Sequence, residues 1–172
     1  CDNIIDIVDG TLVIKNEAIG TESLALEYDA ICGIILDRVH LDYKAFQIIT
    51  NILGKKDTNL TRLSMRIITI GGKVMGDGEA EVLAGALSNN TTLTHLILRN
   101  NAIGSEGCRF LANALSNHRS TLTRLDISYN YIEDRGFVDL TNALVFNTQL
   151  QSLSITGNYF TNETILAFHE ML

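Results

Sequence analysis

The sequence predicts an α/β protein in which strand–helix units are stacked side by side into a solenoid. One pattern returns at nearly constant intervals, and each copy joins a short alternation of apolar and polar residues to a longer stretch with helical spacing. The 172 residues are 46% hydrophobic and 19% charged, which suffices for a core and excludes a disordered chain. We therefore expect parallel strands on one side of the solenoid and helices on the other.

The repeated segment is clearest in the second half of the chain. Three copies agree at every apolar place: Leu93-x-x-Leu96-x-Leu98-x-x-Asn101-x-Ile103, Leu122-x-x-Leu125-x-Ile127-x-x-Asn130-x-Ile132 and Leu150-x-x-Leu153-x-Ile155-x-x-Asn158-x-Phe160. Counting places from the first residue of a copy, the same frame fits two earlier copies that start at Ile31 and Leu60. The steps between the five starts are 29, 33, 29 and 28 residues, a regularity that chance does not produce.

This pattern resembles the leucine-rich repeats of the ribonuclease-inhibitor type, over residues 31–172. The resemblance implies a horseshoe segment with parallel strands on its concave face and helices on its convex face. It also implies that the asparagine at place nine bonds backbone groups where the chain leaves each strand. Val39 and Ile68 stand at place nine in the first two units, which depart from the pattern there.

Two domains follow from this frame. Residues 31–172 form the repeat domain, with about five repeats starting near residues 31, 60, 93, 122 and 150. Residues 1–30 are predicted to be an N-terminal β-rich cap, because the ends of a solenoid expose its core. Within the cap, residues 4–15 read as a β-hairpin, since Asp9-Gly10 suits a type I′ turn between two β-rich runs. We expect Leu24–Tyr28 to complete the cap.

One step between repeats is about four residues longer than the others. The excess is centred on Ile70-Gly71-Gly72-Lys73, where a strand passes into a helix. The spacing therefore predicts a longer loop at this point, either functional or a tolerated insertion.

Charge and composition exclude several classes of protein. The net charge is −7, and residues 1–29 hold seven acids against the single base Lys15, so the rest of the chain is close to neutral. Such a balance excludes a nonspecific nucleic-acid binder. No apolar run approaches the ~20 residues of a membrane span, so we expect no membrane association. The three widely spaced cysteines favour a reducing compartment. We expect a cytoplasmic protein, with a bacterial effector secreted into the host cytosol as the alternative.

No catalytic constellation is visible. The four histidines fall in different units without a helical i, i+4 partner, and phosphate-binding and nucleophile motifs are missing. The sequence predicts a protein that is not an enzyme and that needs no cofactor and no metal.

The predicted binding surface is the strand side of the solenoid. Places three, five and seven point away from the core, and four of the eight arginines fall in two of these rows. Arginines and aromatics around an apolar centre are what protein interfaces favour as anchors. The predicted partner-binding residues are Arg62, Arg66, His95, Ile97, Arg99, Arg124, Asp126 and Tyr129.

Two functions remain open. The first is a noncatalytic module that binds a protein segment bearing Asp, Glu or a phosphate, with Arg62 and Arg99 as central anchors. The second is regulation of a small GTPase, as in some relatives of the resembled family, for which Arg38, Asn100 or Arg135 could face the nucleotide. In both cases we expect a monomer or a part of a longer chain, and the fold alone does not identify the partner.

Overall fold

The structure, a computed structural model, describes residues 4–20 and 31–171, so the predicted cap segment Leu24–Tyr28 lies outside the described residues. The strands are β1 (Ile4–Val8), β2 (Thr11–Lys15), β3 (Ala18–Ile19), β4 (Gly33–Asp37), β5 (His40–Leu41), β6 (Arg62–Arg66), β7 (Thr69–Ile70), β8 (Lys73–Val74), β9 (His95–Ile97), β10 (Arg124–Asp126) and β11 (Ser152–Ser154). The helices are α1 (Tyr43–Leu53), α2 (Asp77–Leu87), α3 (Ser105–Leu115), α4 (Asp134–Leu144) and α5 (Asn162–Met171).

A seven-stranded sheet in the order β1-β2-β4-β6-β9-β10-β11 forms one layer of the molecule. Its neighbours are parallel except for β1, which pairs antiparallel with β2 as the predicted hairpin. The second hairpin strand already belongs to the parallel array, because Leu12 and Ile14 lie opposite Ile34 and Leu36. The strand repeat therefore begins one strand before the first copy that the sequence pattern revealed.

A second, short sheet forms where the chain leaves the strands in the N-terminal half. Its order is β3-β5-β7-β8, and β7 pairs antiparallel with β8. Gly71 and Gly72, with φ of 56° and 82°, close this pair, as a two-residue hairpin turn requires. The predicted longer loop is thus a β-hairpin. A Cβ on Gly71 would lie 2.2 Å from Cε2 of Tyr43, so the turn packs directly on the start of α1.

The helices cover one face of the main sheet, and the core lies between the two layers. The inward residues at place six of successive strands, among them Leu36, Met65, Leu98 and Ile127, are fully buried there. These residues are buried because side chains alternate between the two faces of a strand, so that every second one points to the helices. The opposite surface of the main sheet, called the open face below, carries places three, five and seven.

Asparagines connect the C-terminal units. Asn101 Nδ2 donates to the carbonyls of Met65 (2.8 Å) and Leu98 (3.0 Å), and its Oδ1 accepts from the amide of Ile68 (2.9 Å). Asn130 and Asn158 repeat this arrangement one and two units later. Each amide satisfies buried backbone groups of its own unit and of the preceding one, as the resemblance implied.

Acidic side chains also connect the starts of successive helices. Asp77, the first residue of α2, accepts hydrogen bonds from the amides of Gly104 (2.6 Å) and Gly107 (2.9 Å) at the start of α3. Asp134, the first residue of α4, accepts from the amide of Thr161 (2.7 Å) just before α5. Carboxylates at these places satisfy orphan amides and interact favourably with the helix dipole.

The helices stack closely because glycine occupies their contact points. A Cβ on Gly136 would lie 2.8 Å from Cα of Ser105, and one on Gly107 would lie 3.1 Å from Cβ of Ala80. None of the helices in residues 4–20 and 31–171 has the length and apolar character of a membrane span.

Candidate functional site

Strand register assembles a row of basic residues across the open face. Arg62 on β6 lies opposite His95 on β9, and His95 lies opposite Arg124 on β10. Neighbouring strands of a sheet are about 4.8 Å apart, so these three side chains occupy consecutive steps of one row. The row crosses the strands rather than following one of them, which is why residues about thirty positions apart in the chain become neighbours.

The row borders a depression of about 460 Å³ in the open face. We call it the basic depression; its lining residues are Lys15, Ile35, Asp37, Arg62, Leu63, Ser64, Arg66, His95, Ile97 and Arg124. At its base, Ser64 on β6 is buried between Ile35 on β4 and Ile97 on β9, which lie opposite it in the sheet and have longer side chains. Five of the eight predicted partner-binding residues line it.

The charge of the basic depression is strongly positive for a chain of net charge −7. Lys15 and three arginines face one acid, Asp37. Asp37 lies 3.8 Å from a guanidinium nitrogen of Arg38, and among the residues that the structure describes Arg62, Arg66 and Arg124 form no ion pair. Arg66 Nε and Asp37 Oδ1 are buried without a hydrogen-bond partner in this part of the chain. The depression therefore carries more positive than negative charge.

The other three predicted residues lie outside the lining. The Arg99 guanidinium stacks over the Tyr129 ring at 4.5 Å, and its Nε donates to Asn100 Oδ1 (3.2 Å). Asp126 accepts from the amide (3.0 Å) and the hydroxyl of Ser128, two residues on. Arg99 and Tyr129 thus form a separate cation–π pair beside the depression, so the structure does not pair Arg99 with Arg62.

Threonines at place two fix the orientation of the strands and of His95. The hydroxyls of Thr61, Thr94 and Thr123 donate to the carbonyls of Cys32 (2.9 Å), Thr61 (3.0 Å) and Thr94 (3.1 Å), one unit back in each case. The Thr94 hydroxyl also lies 2.9 Å from Nδ1 of His95. This contact holds the imidazole with Nδ1 against the strand.

Titratable groups elsewhere have structural roles. Burial raises the pKa of the Cys108 thiol to about 12, with smaller contributions from Asp139 and Asp77, so this cysteine is not a reactive thiolate. A hydrogen bond from Arg109 holds the pKa of Glu106 below its ordinary value. Among the described residues no three His, Cys, Asp or Glu side chains come together as a metal site would require.

Sequence reasoning missed five residues of the lining: Lys15, Ile35, Asp37, Leu63 and Ser64. Ile35 and Asp37 stand at the outward places five and seven of β4. No outward place of this strand holds an arginine, so the arginine pattern did not single them out. Lys15 lies in β2, which the sequence prediction assigns to the cap alone. The signal existed, because Leu12 and Ile14 fit places four and six of the frame and put Lys15 at place seven.

Comparison with known proteins agrees with the repeat geometry. The family model described as "Leucine Rich repeat" matches residues 89–112 and 118–140. These two segments contain β9 and β10, the asparagines Asn101 and Asn130 that follow them, and most of α3 and α4.

Relatives share parts of the chain. "NACHT, LRR and PYD domains-containing protein 5" of Mus musculus is 40% identical over 77 residues, which are 45% of this chain and 7% of that protein. "RAN GTPase-activating protein 2" of Arabidopsis thaliana is 27% identical over 107 residues, or 62% of this chain and 20% of that protein. The chain therefore corresponds to a small portion of these relatives.

A solved structure shows the same fold. "Leiomodin-1 Actin-Binding Site 2 (ABS2)" superposes with a TM-score of 0.64 at 17% identity, over 73% of this chain and 71% of that chain. The repeating register, the asparagine bonds between units and the family match over residues 89–112 and 118–140 show that this part of the chain consists of leucine-rich repeats.

Proposed function

We propose that the chain is a noncatalytic protein-binding module whose open face is the concave surface of a horseshoe segment, and that the basic depression receives an acidic polypeptide segment. The observation that carries this proposal is the unpaired positive charge of the depression, where Lys15, Arg62, Arg66 and Arg124 face the single acid Asp37. Arginine forks match carboxylate and phosphate groups in geometry and charge.

The surroundings of the charges support a protein partner. Ile35 and Ile97 line the depression between the basic side chains. An apolar centre bordered by arginines is the composition of protein-interaction hot spots. The central anchors of the proposal are Arg62 and Arg124, since Arg99 is held on Tyr129. The Arg99–Tyr129 pair, with Tyr129 47% exposed, forms the rim of the same surface.

Selection from a library of displayed peptides tests the proposal. The wild-type protein should enrich peptides rich in Asp and Glu, and the double variant Arg62→Glu, Arg124→Glu should lose this enrichment. The matched control is Lys56→Glu, Arg119→Glu, which makes the same charge change at exposed positions outside the open face. If the open-face variant still selected acidic peptides, the binding site would lie elsewhere.

The hairpin formed by β1 and β2 is proposed as the N-terminal cap of the repeat domain. The antiparallel strand β1 occupies the edge of the sheet, where it ends the parallel array. Deleting β1 should then expose β2 and promote association between molecules, which light scattering would detect.

Regulation of a small GTPase is the second candidate, and the match to the Arabidopsis GTPase-activating protein is the observation that favours it. Arg38 and Arg135 are strongly exposed, with side-chain accessibilities of 60% and 76%, whereas Asn100 accepts a hydrogen bond from Arg99. A GTP-hydrolysis assay against a panel of small GTPases separates the candidates, because a pure binder leaves the hydrolysis rate unchanged.

A further inference from the structure

We infer that Tyr129, Tyr131 and Tyr159 form a second contact region for the acidic segment, where a bulky apolar side chain of that segment packs on the tyrosine rings. We call these three residues the tyrosine edge. The inference rests on the proposed function, because it names a further feature of the segment that the basic depression receives. The partner is then an extended acidic polypeptide segment that carries an apolar anchor beside its acids.

The tyrosine edge is exposed although its rings are largely apolar. Its members are 47%, 54% and 63% exposed, and they are three of the five tyrosines of the chain. Tyr131 and Tyr159 stand at place ten, where the earlier units hold His40, Thr69 and Ala102. The repeat itself therefore requires no aromatic ring at this place. Clustered exposed aromatic side chains are typical of surfaces that bind another protein.

Each ring of the tyrosine edge is held by a neighbour. The Arg99 guanidinium lies 4.5 Å from the centroid of the Tyr129 ring. The same ring covers the main chain of Gly157, where an added Cβ would lie 2.7 Å from Cδ1 of Tyr129. The rings of Tyr131 and Tyr159 stack with their centroids 5.9 Å apart and an angle of 29° between their planes. A partner that packs on these rings loses little side-chain entropy, because they are already restricted.

The backbone of Tyr129 supports a role in binding. Its φ of 55° lies in the left-handed region, which disfavours bulky side chains. Asn100 and Gly157 stand at the same place of the adjoining units with φ of 59° and 75°, and both residue types tolerate this conformation. A tyrosine is thus an unfavourable residue at a place where the fold accepts asparagine or glycine. Such residues are concentrated at binding sites.

The tyrosine edge continues the basic depression. Arg99 connects them, since it follows the lining residue Ile97 by two positions and its guanidinium lies over Tyr129. Arg62 and Arg124 stand at place three and Tyr129 at place eight, which is about 17 Å along a strand at about 3.3 Å per residue. An extended segment of five to six residues covers this distance, so one polypeptide reaches both regions.

The charges beside the tyrosine edge favour an uncharged side chain over its stacked pair. Glu133 is exposed and forms an isolated backbone bridge with Tyr159. Its carboxylate disfavours a further acid near the pair, whereas Arg99 attracts one at the end that adjoins the depression. Within the part of the chain that the structure describes, the hydroxyls of the three tyrosines have no hydrogen-bond partner, so they remain available to the main chain of the segment.

Synthetic peptides measure the contribution of the apolar anchor. The reference is acetyl-(Gly-Glu)4-amide, and two further peptides carry an added tryptophan at the N-terminal or the C-terminal end, so that either direction of binding brings the indole to the tyrosine edge. We expect one of the tryptophan peptides to bind about tenfold more tightly than the reference. Its emission should shift to the blue as the indole leaves water. The chain contains no tryptophan, so this emission comes from the peptide alone.

Variants assign the tryptophan contribution to the tyrosine edge. In Tyr131→Ser, Tyr159→Ser the ratio of the two affinities, measured on the same variant, should fall to that of peptides without an anchor. Tyr129→Asn places at φ of 55° a residue type that this place already holds in Asn100, and it should lower the ratio as well. The matched control Val145→Ser, Phe146→Ser removes apolar groups that are 64% and 75% exposed at the opposite end of α4, and it should keep the wild-type ratio.

Three results separate the inference from the proposed function. Equal affinities of the wild type for all three peptides, or a tryptophan contribution that persists in Tyr131→Ser, Tyr159→Ser, overturn the inference while the proposed function stands. Absence of binding of every peptide by the wild type overturns both.

Discussion

The N-terminal and C-terminal halves of the repeat array complete the same turn by different chemistry. In the C-terminal half, Asn101, Asn130 and Asn158 bond the backbone where the chain leaves each strand. In the N-terminal half, Val39 and Ile68 occupy the equivalent place and are fully buried. There the main chain supplies the bonds itself, through the short sheet of β3, β5 and β7.

The difference shows that a buried turn needs its polar groups satisfied but does not prescribe the partner. The main-chain amides of His40 and Thr69 donate to the carbonyls of Glu17 (2.8 Å) and Val39 (3.1 Å), one unit back. These bonds leave place nine free for an apolar side chain. Asn101 stands at the junction of the halves, because its Oδ1 accepts from the amide of Ile68 in the last unit without asparagine.

The largest expected effect comes from removing an asparagine of the C-terminal half. Asn130→Ala leaves the buried amide of Ile103 without its acceptor and removes one of the two side-chain donors to each of the carbonyls of Leu98 and Ile127, which keep those of Asn101 and Asn158. We expect a loss of about 3 kcal/mol in the free energy of unfolding, since an unsatisfied buried group costs about 1–3 kcal/mol and each further lost hydrogen bond about 0.5–1.5 kcal/mol. Urea denaturation measures this loss, with Asn113→Ala on the exposed side of α3 as control. A loss below about 1 kcal/mol would contradict a structural role of the ladder.

Placing an asparagine in the N-terminal half should not restore a ladder. Val39→Asn buries an amide among groups that the short sheet already satisfies, so we expect destabilisation by about 2–3 kcal/mol. The exposed valine of α2 provides the control, and Val82→Asn should change stability by about 0.5 kcal/mol or less. A Val39→Asn protein as stable as the wild type would mean that the two halves are interchangeable at this place.

Glycines of the helices test how tightly neighbouring units stack. Gly136→Ala in α4 forces a Cβ against Cα of Ser105, and we expect a loss of about 1–3 kcal/mol despite the better helix propensity of alanine. A Cβ on Gly85 in α2 would point into open space, so Gly85→Ala should raise stability by about 0.5–1 kcal/mol. Thermal unfolding of both variants checks the opposite signs; equal signs would exclude close packing as the cause.

The smallest expected effect concerns the start of the last helix and its response to acid. The backbone hydrogen bond from Thr161, followed by one from Thr164, lowers the pKa of Asp134 below its ordinary value. A lowered pKa contributes stability that is present at neutral pH and is lost as the pH falls through the folded-state value. Asp134→Asn should therefore unfold slightly more easily at pH 7 and no more easily than the wild type at about pH 2, below the usual range of aspartate. Unfolding midpoints at the two pH values measure this convergence, and an equal difference at both would assign the effect to another group.

The binding surface was predictable in part. Periodicity alone identified the outward rows, and the register of β6, β9 and β10 brings Arg62, His95 and Arg124 together as those rows require. Periodicity could not predict the direction of the Arg99 side chain. Its guanidinium stacks on the ring of Tyr129, which comes one repeat later in the chain, and does not line the depression. Lys15 was missed because a β-hairpin pattern and a repeat strand have the same two-residue period.

The sequence by itself determined the alternation of strands and helices, the repeat frame and the asparagine ladder of the C-terminal half. The alternation and the frame follow from local periodicity, and the ladder follows from the resemblance to leucine-rich repeats at place nine. Only the tertiary structure decided the short N-terminal sheet, the membership of β2 in the parallel array and the shape of the basic depression. Each depends on contacts between residues about one repeat apart. Main-chain hydrogen bonds between such residues require no particular side chain, so no residue type in the sequence marks where they form.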